Sequence, residues 1–332
     1  MKIDIHTHIM PEKMPNWVAK FGYGEFIHLE HRSCKACMMK GDKVFREVED
    51  NCFREDVRLV EMNDTGVDVQ VLSTIPVLFN YWAAPKDALE TSRFFNDHIA
   101  EVAAKESKRF IGIGTVPLQD VSLSIREMER CMQELKMPGL EIGTNVNGKN
   151  LSDPEFLPFY EAAEKLNCAL FIHPWEMMGE KDMQKYWLPW LVGMPAETTR
   201  AICSLIFGGV FEKFPRLRVA FAHGGGSFPY TVGRIEHGFQ VRPDLVQIDN
   251  NVNPRDYFGK FWVDSLVHDE KAFQFLRETV SDDKICLGSD YPFPLGEHLP
   301  GELIESMNLA KEVKEKLLAK NALAWLGIEH RF

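Results

Sequence analysis

The chain has 332 residues and a formal net charge of −11, and 45% of its residues are hydrophobic and 26% charged. These values are ordinary for a folded globular protein and argue against extensive disorder. A negative balance without a basic stripe argues against nucleic acid or an anionic membrane as a partner. An anionic small molecule would need arginines gathered locally at its binding site.

No apolar run approaches the roughly 20 residues that a transmembrane helix needs, and the amino terminus lacks the apolar stretch of a signal peptide. The seven cysteines are odd in number and widely spread, which suits reduced thiols. Both features predict a cytoplasmic protein. Cys34 and Cys37 form a lone C-x-x-C near His31, which is weak evidence for a metal site, so unpaired loop thiols are favoured.

Short apolar runs alternate with segments of helical periodicity along the chain, as in proteins built from βα units. Eight such runs predict buried parallel strands that close into one α/β unit over residues 1–332, a (β/α)8 TIM barrel. The predicted strands are Lys2–Ile5, Val67–Ser73, Phe110–Val116, Leu140–Gly143, Ala169–His173, Leu217–His223, Phe261–Ser265 and Ile285–Asp290.

Residues 11–51 interrupt this rhythm, because they are rich in Gly, Lys, His and aromatic residues and lack helix-length periodicity. Loops at the carboxyl ends of barrel strands carry the active site. This insertion after the first strand is therefore predicted to cover the mouth of the barrel as a lid. The stretch Met177–Pro195, after the fifth strand, is predicted to do the same.

Imidazoles and a carboxylate stand at the ends of four predicted strands. The first strand leads into His6-Thr7-His8, whose period-two spacing points both imidazoles to the same side. The fifth, sixth and eighth strands end at His173, His223 and Asp290. An isolated H-x-H is more often structural, but the convergence of all these side chains on one mouth predicts a catalytic site for a divalent metal such as zinc.

Longer sequence motifs around these positions carry a resemblance to a known family. The motifs are His173-Pro174-Trp175, the run from Tyr186 to Glu197, His223-Gly224-Gly225-Gly226 and the run from Gly288 to Glu297. The insertion adds Phe21-Gly22-Tyr23-Gly24 and Lys43-Val44-Phe45-Arg46. Together they resemble the 2-amino-3-carboxymuconate-6-semialdehyde decarboxylase family of the amidohydrolase superfamily, and the resemblance extends over essentially the whole chain.

This resemblance implies a homodimeric enzyme with one Zn²⁺ in each subunit. The implied metal ligands are His6, His8, His173 and Asp290. His223 is implied to be the catalytic base outside the ligand set, and Asp290 is counted with it as catalytic. Arg46, together with Arg234 donated by the neighbouring subunit, is implied to bind the carboxylates of a small dicarboxylate substrate.

Three further side chains are candidates for the substrate pocket. Trp190 and Phe293 would line it, although aromatic residues more often serve packing. Lys40 is close to Arg46 in the sequence and would hold that arginine or the substrate. A solvated surface lysine is an equal alternative.

The implied reaction is the zinc-dependent, oxygen-independent decarboxylation of 2-amino-3-carboxymuconate 6-semialdehyde to 2-aminomuconate 6-semialdehyde. In tryptophan catabolism through kynurenine, this step limits the formation of quinolinate. A bound divalent ion makes a water molecule more acidic, and His223 would take and return a proton.

Several alternatives stay open at this point, because a fold does not determine a reaction. The chain could be a metal-dependent decarboxylase of an aromatic acid, or a hydrolase of a lactone or amide. A catalytically silent barrel is opposed by the intact set of imidazoles and carboxylate. Glu141 in the fourth strand departs from the family pattern, and a buried carboxylate there needs a cationic partner or a second metal. The paired, structural role is favoured.

Overall fold

Parallel strands drawn from the whole length of the chain form the centre of the fold. The computed structural model describes residues 1–32 and 35–330, so Cys34 of the C-x-x-C lies outside the described residues. In chain order the strands are β1 (Ile3–His8), β2 (Ile27–Arg32), β3 (Lys35–Lys40), β4 (Lys43–Val48), β5 (Val69–Ser73), β6 (Phe110–Gly112), β7 (Gly139–Gly143), β8 (Asn145–Val146), β9 (Lys149–Asn150), β10 (Ala169–His173), β11 (Arg218–Phe221), β12 (Trp262–Asp264) and β13 (Ile285–Cys286).

Helices follow most of the barrel strands and pack around them. They are α1 (Trp17–Phe21), α2 (Glu55–Thr65), α3 (Pro85–Lys105), α4 (Val121–Gln133), α5 (Leu157–Lys165), α6 (Met194–Phe207), α7 (Val210–Lys213), α8 (Phe228–Val241), α9 (Pro243–Val246), α10 (Glu270–Val280), α11 (Glu302–Ser306), α12 (Lys311–Glu315) and α13 (Asn321–Leu326). Within the described ranges, none of these helices combines the length and apolarity that crossing a membrane requires.

Two parallel sheets, β1-β5-β6 and β7-β10-β11-β12-β13, join edge to edge. One joint is a parallel bridge between Gly114 and Leu140, which connects the chain after β6 to β7. The other is a bridge between Thr7 and Tyr291, beside which the amide of His8 donates to the carbonyl of Tyr291 at 2.8 Å. The eight strands therefore follow one another in chain order around a closed barrel, and the predicted (β/α)8 barrel is confirmed.

Several barrel strands are shorter than predicted, and two of them differ most. The runs Phe110–Val116 and Ile285–Asp290 are regular strands only in β6 and β13. The cause in the last strand is local. The amide of Leu287 donates to the carbonyl of Leu317 at 2.9 Å instead of to a neighbouring strand. Asp290 has a φ of 58°, which lies outside the strand region, so the chain turns away from the barrel wall there.

The barrel interior is filled by apolar side chains and closed at one end by α13. The interior cluster includes Ile3, Ile5, Val69, Val71, Ile111, Ile113, Ala169, Phe171, Ala220, Ala222 and Trp325. Phe171 lies between α13, which plugs the closed end, and the mouth. Its ring centroid is 5.9 Å from that of Trp325 in α13 and 5.0 Å from that of His6 at the mouth. The strand-end residues at the mouth thus rest on a packed floor.

A shift in register gives β1 two consecutive inward residues. The pairing of β1 with β5 slips between Asp4 and Thr7. Ile5 belongs to the interior cluster, and its neighbour His6 packs edge-on against the interior ring of Phe171. Strict alternation would send one of the two outward, so the irregularity is what lets the strand supply both core and site.

The predicted insertion forms a three-stranded antiparallel sheet, β2-β3-β4. Its apolar side chains join those of the loop after β5 in one cluster, which includes Met10, Ile27, Met38, Val48, Phe53, Ile75, Val77 and Leu78. The loop after β5 is at the carboxyl end of a barrel strand, so this packing fastens the insertion over the mouth.

Trp325 provides a test of the packed floor. Trp325→Ala is expected to lower the free energy of unfolding by about 3–5 kcal/mol, because it removes a fully buried indole and leaves a cavity under Phe171. Urea denaturation followed by circular dichroism measures the change. The control is Val60→Ala, since Val60 is 60% exposed on α2 and its truncation should change stability by no more than about 0.5 kcal/mol. Equal stabilities for the two variants would contradict the role given to the plug.

Candidate metal centre

Four strand-end side chains meet in one small volume at the mouth. They are His6 and His8 at the end of β1, His173 at the end of β10 and Asp290 just beyond β13. Each offers one potential ligand atom, and these atoms all lie within 4.8 Å of one another. All four residues are buried. The convergence expected from the sequence is therefore present in the structure.

The hydrogen bonds of the three imidazoles define which nitrogen faces this volume. Nδ1 of His8 lies 2.8 Å from the carbonyl of Thr74, and Nδ1 of His173 lies 3.0 Å from the carbonyl of Pro174. A carbonyl oxygen only accepts, so each Nδ1 carries the proton and each Nε2 keeps a lone pair. Nδ1 of His6 donates in the same way to the carboxylate of Asp264 at 2.7 Å.

The three Nε2 atoms are buried and have no hydrogen-bond partner among the described residues. Those of His8 and His6 lie 3.2 Å and 3.4 Å from the Oδ1 atom of Asp290. Lone pairs and a carboxylate held this close, out of water, are costly unless a cation lies between them. Neutral imidazoles and one carboxylate are the donors that zinc and similar divalent ions select, so the residues fit a metal.

The protonation states agree with this fit. Burial lowers the pKa of His8 below its usual value and that of His173 well below it, which keeps both rings in the neutral, ligating form. Burial alone would raise the pKa of Asp290. The surrounding imidazoles of His6, His223 and His8 outweigh that effect and hold the pKa of Asp290 well below its usual value. The carboxylate is thus ionised at neutral pH.

His223 stands beside the ligand group without belonging to it. Its Nε2 lies 3.8 Å from Oδ2 of Asp290, and its ring centroid is 5.2 Å from that of His173. Both ring nitrogens are buried and lack a hydrogen-bond partner within the described part of the chain. Burial acts to lower the pKa of His223, but the neighbouring Asp290 carboxylate prevails and raises it. The imidazole is placed to exchange a proton with a molecule bound at the centre.

A tight turn presents His223 to the centre. His223 has a φ of 56°, an unusual conformation for a residue with a side chain, and three glycines with positive φ follow it. A Cβ on Gly226 would lie 2.3 Å from the carbonyl oxygen of Pro195, and one on Gly224 would lie 2.5 Å from Val267. The glycines therefore serve close packing between the sixth strand end, α6 and the loop after β12.

Asp264 is the site residue that the sequence analysis missed. It ends β12, is completely buried, and accepts hydrogen bonds from Nδ1 of His6 and from the backbone amides of His223 and Gly224. The available signal was a carboxylate closing the otherwise apolar run Phe261-Trp262-Val263, the same signal that identified Asp290 at the end of the eighth strand.

A small chamber of about 30 Å³ adjoins the ligand group. Its lining includes His8, His173, Asp290, Phe45, Arg46, Trp175, Trp190 and Phe293. The guanidinium carbon of Arg46 is 4.5 Å from the ring centroid of Phe293 and 5.8 Å from that of Trp190. No carboxylate of the described residues lies within 4.0 Å of Arg46, and burial lowers its pKa. The insertion thus places a half-buried cation, framed by aromatic rings, beside the centre.

Lys40 and Arg234 lie elsewhere. Lys40 lines a neighbouring cavity of about 680 Å³ with Glu176, and this cavity shares Phe45 and Trp190 as walls with the small chamber. Arg234 is exposed on α8 and is absent from the chamber lining. Within one subunit, the structure therefore brings Arg46, Trp190 and Phe293 to the centre but leaves Lys40 and Arg234 outside it.

Glu141 of β7 is fully buried, and one of its oxygens lies 3.7 Å from Nδ1 of His8. The lysines and arginines of the described residues all lie more than 4.0 Å from it, so the cationic partner favoured from the sequence is absent. Burial raises the pKa of Glu141 well above its usual value, which favours the neutral acid. Glu141 also lies outside the ligand group, so no second metal site forms around it among the described residues.

Comparison with known proteins identifies the family of the chain. The amidohydrolase family, Amidohydro_2, matches residues 3–328. The chain belongs to the amidohydrolase family. It is 58% identical over 331 residues to the 2-amino-3-carboxymuconate-6-semialdehyde decarboxylase of Dictyostelium discoideum, which covers 99% of this chain and 92% of that protein. It is 38% identical over 380 residues to the Caenorhabditis elegans protein of the same name, covering 99% and 94% of the two chains.

The fold is also that of a solved decarboxylase. The crystal structure of 5-carboxyvanillate decarboxylase from Novosphingobium aromaticivorans, complexed with manganese and 4-hydroxy-3-methoxy-5-nitrobenzoic acid, superimposes with a TM-score of 0.82. The sequence identity is 22%, and the match covers 98% of this amidohydrolase chain and 96% of that one. At this identity the likeness establishes the barrel fold.

Removal of one ligand tests the centre. His173→Ala is expected to weaken zinc binding by at least about 100-fold, since losing a ligand should exceed the 10–100-fold effect of losing an outer partner. Competition with a chromophoric chelator measures the affinity. His98→Ala is the matched control, because His98 in α3 also has a buried Nε2 without a partner among the described residues but lies outside the ligand group. Equal zinc affinity in the two variants would argue against the centre.

Proposed function

We propose that this chain catalyses the oxygen-independent decarboxylation of 2-amino-3-carboxymuconate 6-semialdehyde to 2-aminomuconate 6-semialdehyde. The observation that carries the proposal is a ligand group for a divalent metal with an imidazole base on one side and, on the other, a half-buried guanidinium that has no carboxylate partner among the described residues. The 58% identity to a decarboxylase of that name, over 99% of the chain, supports this substrate. In this proposal residues 1–332 form one catalytic unit, and residues 11–51 act as its lid.

We propose Zn²⁺, one per subunit, as the resident metal, held by His6, His8, His173 and Asp290. Three imidazoles and a carboxylate suit zinc well, although the structural neighbour from Novosphingobium carries manganese. When bound, such an ion supplies a Lewis acid that stabilises negative charge developing on the substrate.

Arg46 is proposed to bind a substrate carboxylate. Its half-buried guanidinium has a lowered pKa because of burial, and a carboxylate would supply the charge and the hydrogen-bond acceptors that it lacks among the described residues. Phe293 and Trp190 hold the guanidinium plane and exclude water from the pair. This local cation also overcomes the repulsion expected from a net charge of −11.

His223 is proposed to move the proton. Loss of CO₂ leaves an electron pair that the conjugated semialdehyde delocalises, and the carbon that lost the carboxylate must then be protonated. His223 lies at the edge of the ligand group with both ring nitrogens free to donate or accept within the described structure. Oδ2 of Asp290 lies 3.8 Å from Nε2 of His223 and is proposed to orient that ring. Asp290 would thus have a catalytic role as well as a ligating one.

We propose a homodimer in which Arg234 enters the partner's site as a second carboxylate anchor. Arg234 is exposed on α8 and lies outside the ion pairs of the described residues. Exposed apolar side chains accompany it on α8, α9 and the segment that follows, namely Tyr230, Val241, Leu245 and Ile248. Large exposed apolar residues of this kind mark interaction surfaces. Lys40 is proposed to have only a supporting role in substrate binding. It lines a separate cavity that shares the walls formed by Phe45 and Trp190 with the chamber.

The cellular part of the proposal is a cytoplasmic enzyme of tryptophan catabolism through kynurenine, where removal of the semialdehyde limits quinolinate formation. Support comes from the two relatives in Dictyostelium and Caenorhabditis that carry the name of this decarboxylase.

His223→Ala tests the proton transfer. The variant should bind zinc like the wild type, because His223 is outside the ligand group, while decarboxylation should fall by roughly 10²–10⁴-fold. Loss of the semialdehyde's absorbance and release of CO₂ are measured with zinc-saturated protein, and His98→Ala is the control. Turnover close to the wild type would remove His223 from the reaction. A zinc-saturated wild-type enzyme that is inactive on this substrate would redirect the proposal to an aromatic acid.

Mixing two inactive variants tests the exchange of Arg234. In a heterodimer of His223→Ala and Arg234→Ala chains, one site has both defects and the other has neither. Random pairing of the two chains should therefore restore about a quarter of the wild-type activity if Arg234 acts across the interface. If Arg234 acted within its own subunit, every site would be defective and the mixture would stay inactive. The unmixed variants serve as controls.

A further inference from the structure

Asp264 raises a question of charge, since it is 0% exposed at the end of an apolar strand. A buried carboxylate needs compensation, and no lysine or arginine of the described residues lies within 4.0 Å of it. Compensation comes from hydrogen-bond donors alone. Oδ1 accepts from the amides of Gly224 at 2.7 Å and Leu266 at 3.1 Å, and Oδ2 accepts from the amide of His223 at 2.9 Å and from Nδ1 of His6 at 2.7 Å.

These donors come from the two halves of the candidate centre. His6 supplies a candidate ligand atom, and His223 and Gly224 form the left-handed turn that presents the candidate base. Both halves share the same carboxylate oxygen, because the ring of His6 and the amide of His223 both donate to Oδ2 of Asp264. The corresponding bonds of His8 and His173 go to backbone carbonyls, so this double link is specific to His6.

Gly288 makes the contact geometrically possible. It lies in the eighth strand, between β1 and β12, and has no side chain. A Cβ there would lie 2.7 Å from Cβ of Asp264 and 2.9 Å from Cβ of His6. The two side chains therefore meet across the intervening strand at a place where any other residue would separate them.

From this geometry we propose that Asp264 is a positioning residue with two effects. It fixes the ring of His6 with Nε2 as the lone-pair nitrogen, which strengthens metal binding. It also holds the amides of the His223 turn, which keeps the base in its left-handed conformation beside Asp290. This inference rests on the roles proposed for His6 and His223. Its first effect requires only that the centre binds a metal, whatever the substrate is.

Asp264→Asn is the test, because it keeps the shape and removes the charge and one acceptor. The amide NH₂ must face donors on one side or the other, so either the His6 contact or the turn is lost. We expect zinc affinity, measured by chelator competition without substrate, to fall about 10–100-fold. The kcat of the zinc-saturated variant should fall at least about 10-fold as well, since His223 is no longer held.

Glu127→Gln is the matched control. Glu127 is an equally buried carboxylate that accepts from Asn96, Arg93 and Arg130, far from the ligand group in sequence and absent from the chamber lining. It should lower thermal stability while leaving zinc affinity and saturated kcat unchanged. If Asp264→Asn behaves like this control, or binds zinc within about twofold of the wild type, the positioning role is overturned.

A second measurement keeps the proposal testable if Asp264→Asn fails to fold. Gly288→Ala leaves the carboxylate in place but separates it from His6, and it should also weaken zinc binding. The nitrogen-15 shifts of the His6 ring in the zinc-loaded wild type, assigned with His6→Gln, report which nitrogen carries the proton. A protonated Nδ1 with weakened binding in Gly288→Ala supports the proposal, and a proton on Nε2 or unchanged binding overturns it. Chelator competition needs no substrate, so failure of the decarboxylation assay alone leaves this result interpretable.

Discussion

Three imidazole lone pairs and a carboxylate point at one small volume inside the protein, and the rest of the architecture depends on this arrangement. Without a cation it would be unfavourable, because each acceptor is out of water and faces other acceptors. Hydrogen bonds on the far side of the rings and packing beneath them hold the ligand group in place. Carbonyls of Thr74 and Pro174 and the carboxylate of Asp264 fix the rings, and the floor formed by Phe171 and α13 keeps them from collapsing inward.

The mouth also carries a positive charge that has no carboxylate partner among the described residues. Arg46 comes from the insertion, and its guanidinium is held by aromatic faces instead of a carboxylate. Arg46 and three members of the ligand group line the same small chamber, so a metal held there would act together with the guanidinium to favour a substrate with negative charge over a neutral one. In the proposed function the barrel would contribute the reactive groups and the insertion the selectivity, and the insertion is packed firmly against the loop after β5.

Much of this could be predicted from the sequence, since strand-end positions and period-two spacing are local properties. His6, His8, His173 and Asp290 were identifiable because each follows an apolar run, and parallel strands bring their carboxyl ends together. Asp264 was missed although it follows such a run, because its importance lies in its distance from His6, and that distance depends on Gly288. The shift in register of β1 and the separate cavity of Lys40 also depend on packing between distant segments. No local sequence pattern predicts them.

The position of the ligands along the chain affects how the centre assembles. His6 and Asp290 lie at opposite ends of the sequence and meet only where β1 joins the eighth strand, the seam at which Thr7 pairs with Tyr291. Closing so long a loop is among the slow, entropically costly steps of folding. During synthesis on the ribosome, the first two imidazoles therefore emerge long before their carboxylate partner. The complete ligand set for the proposed metal would therefore exist only at the end of folding, after the barrel has closed.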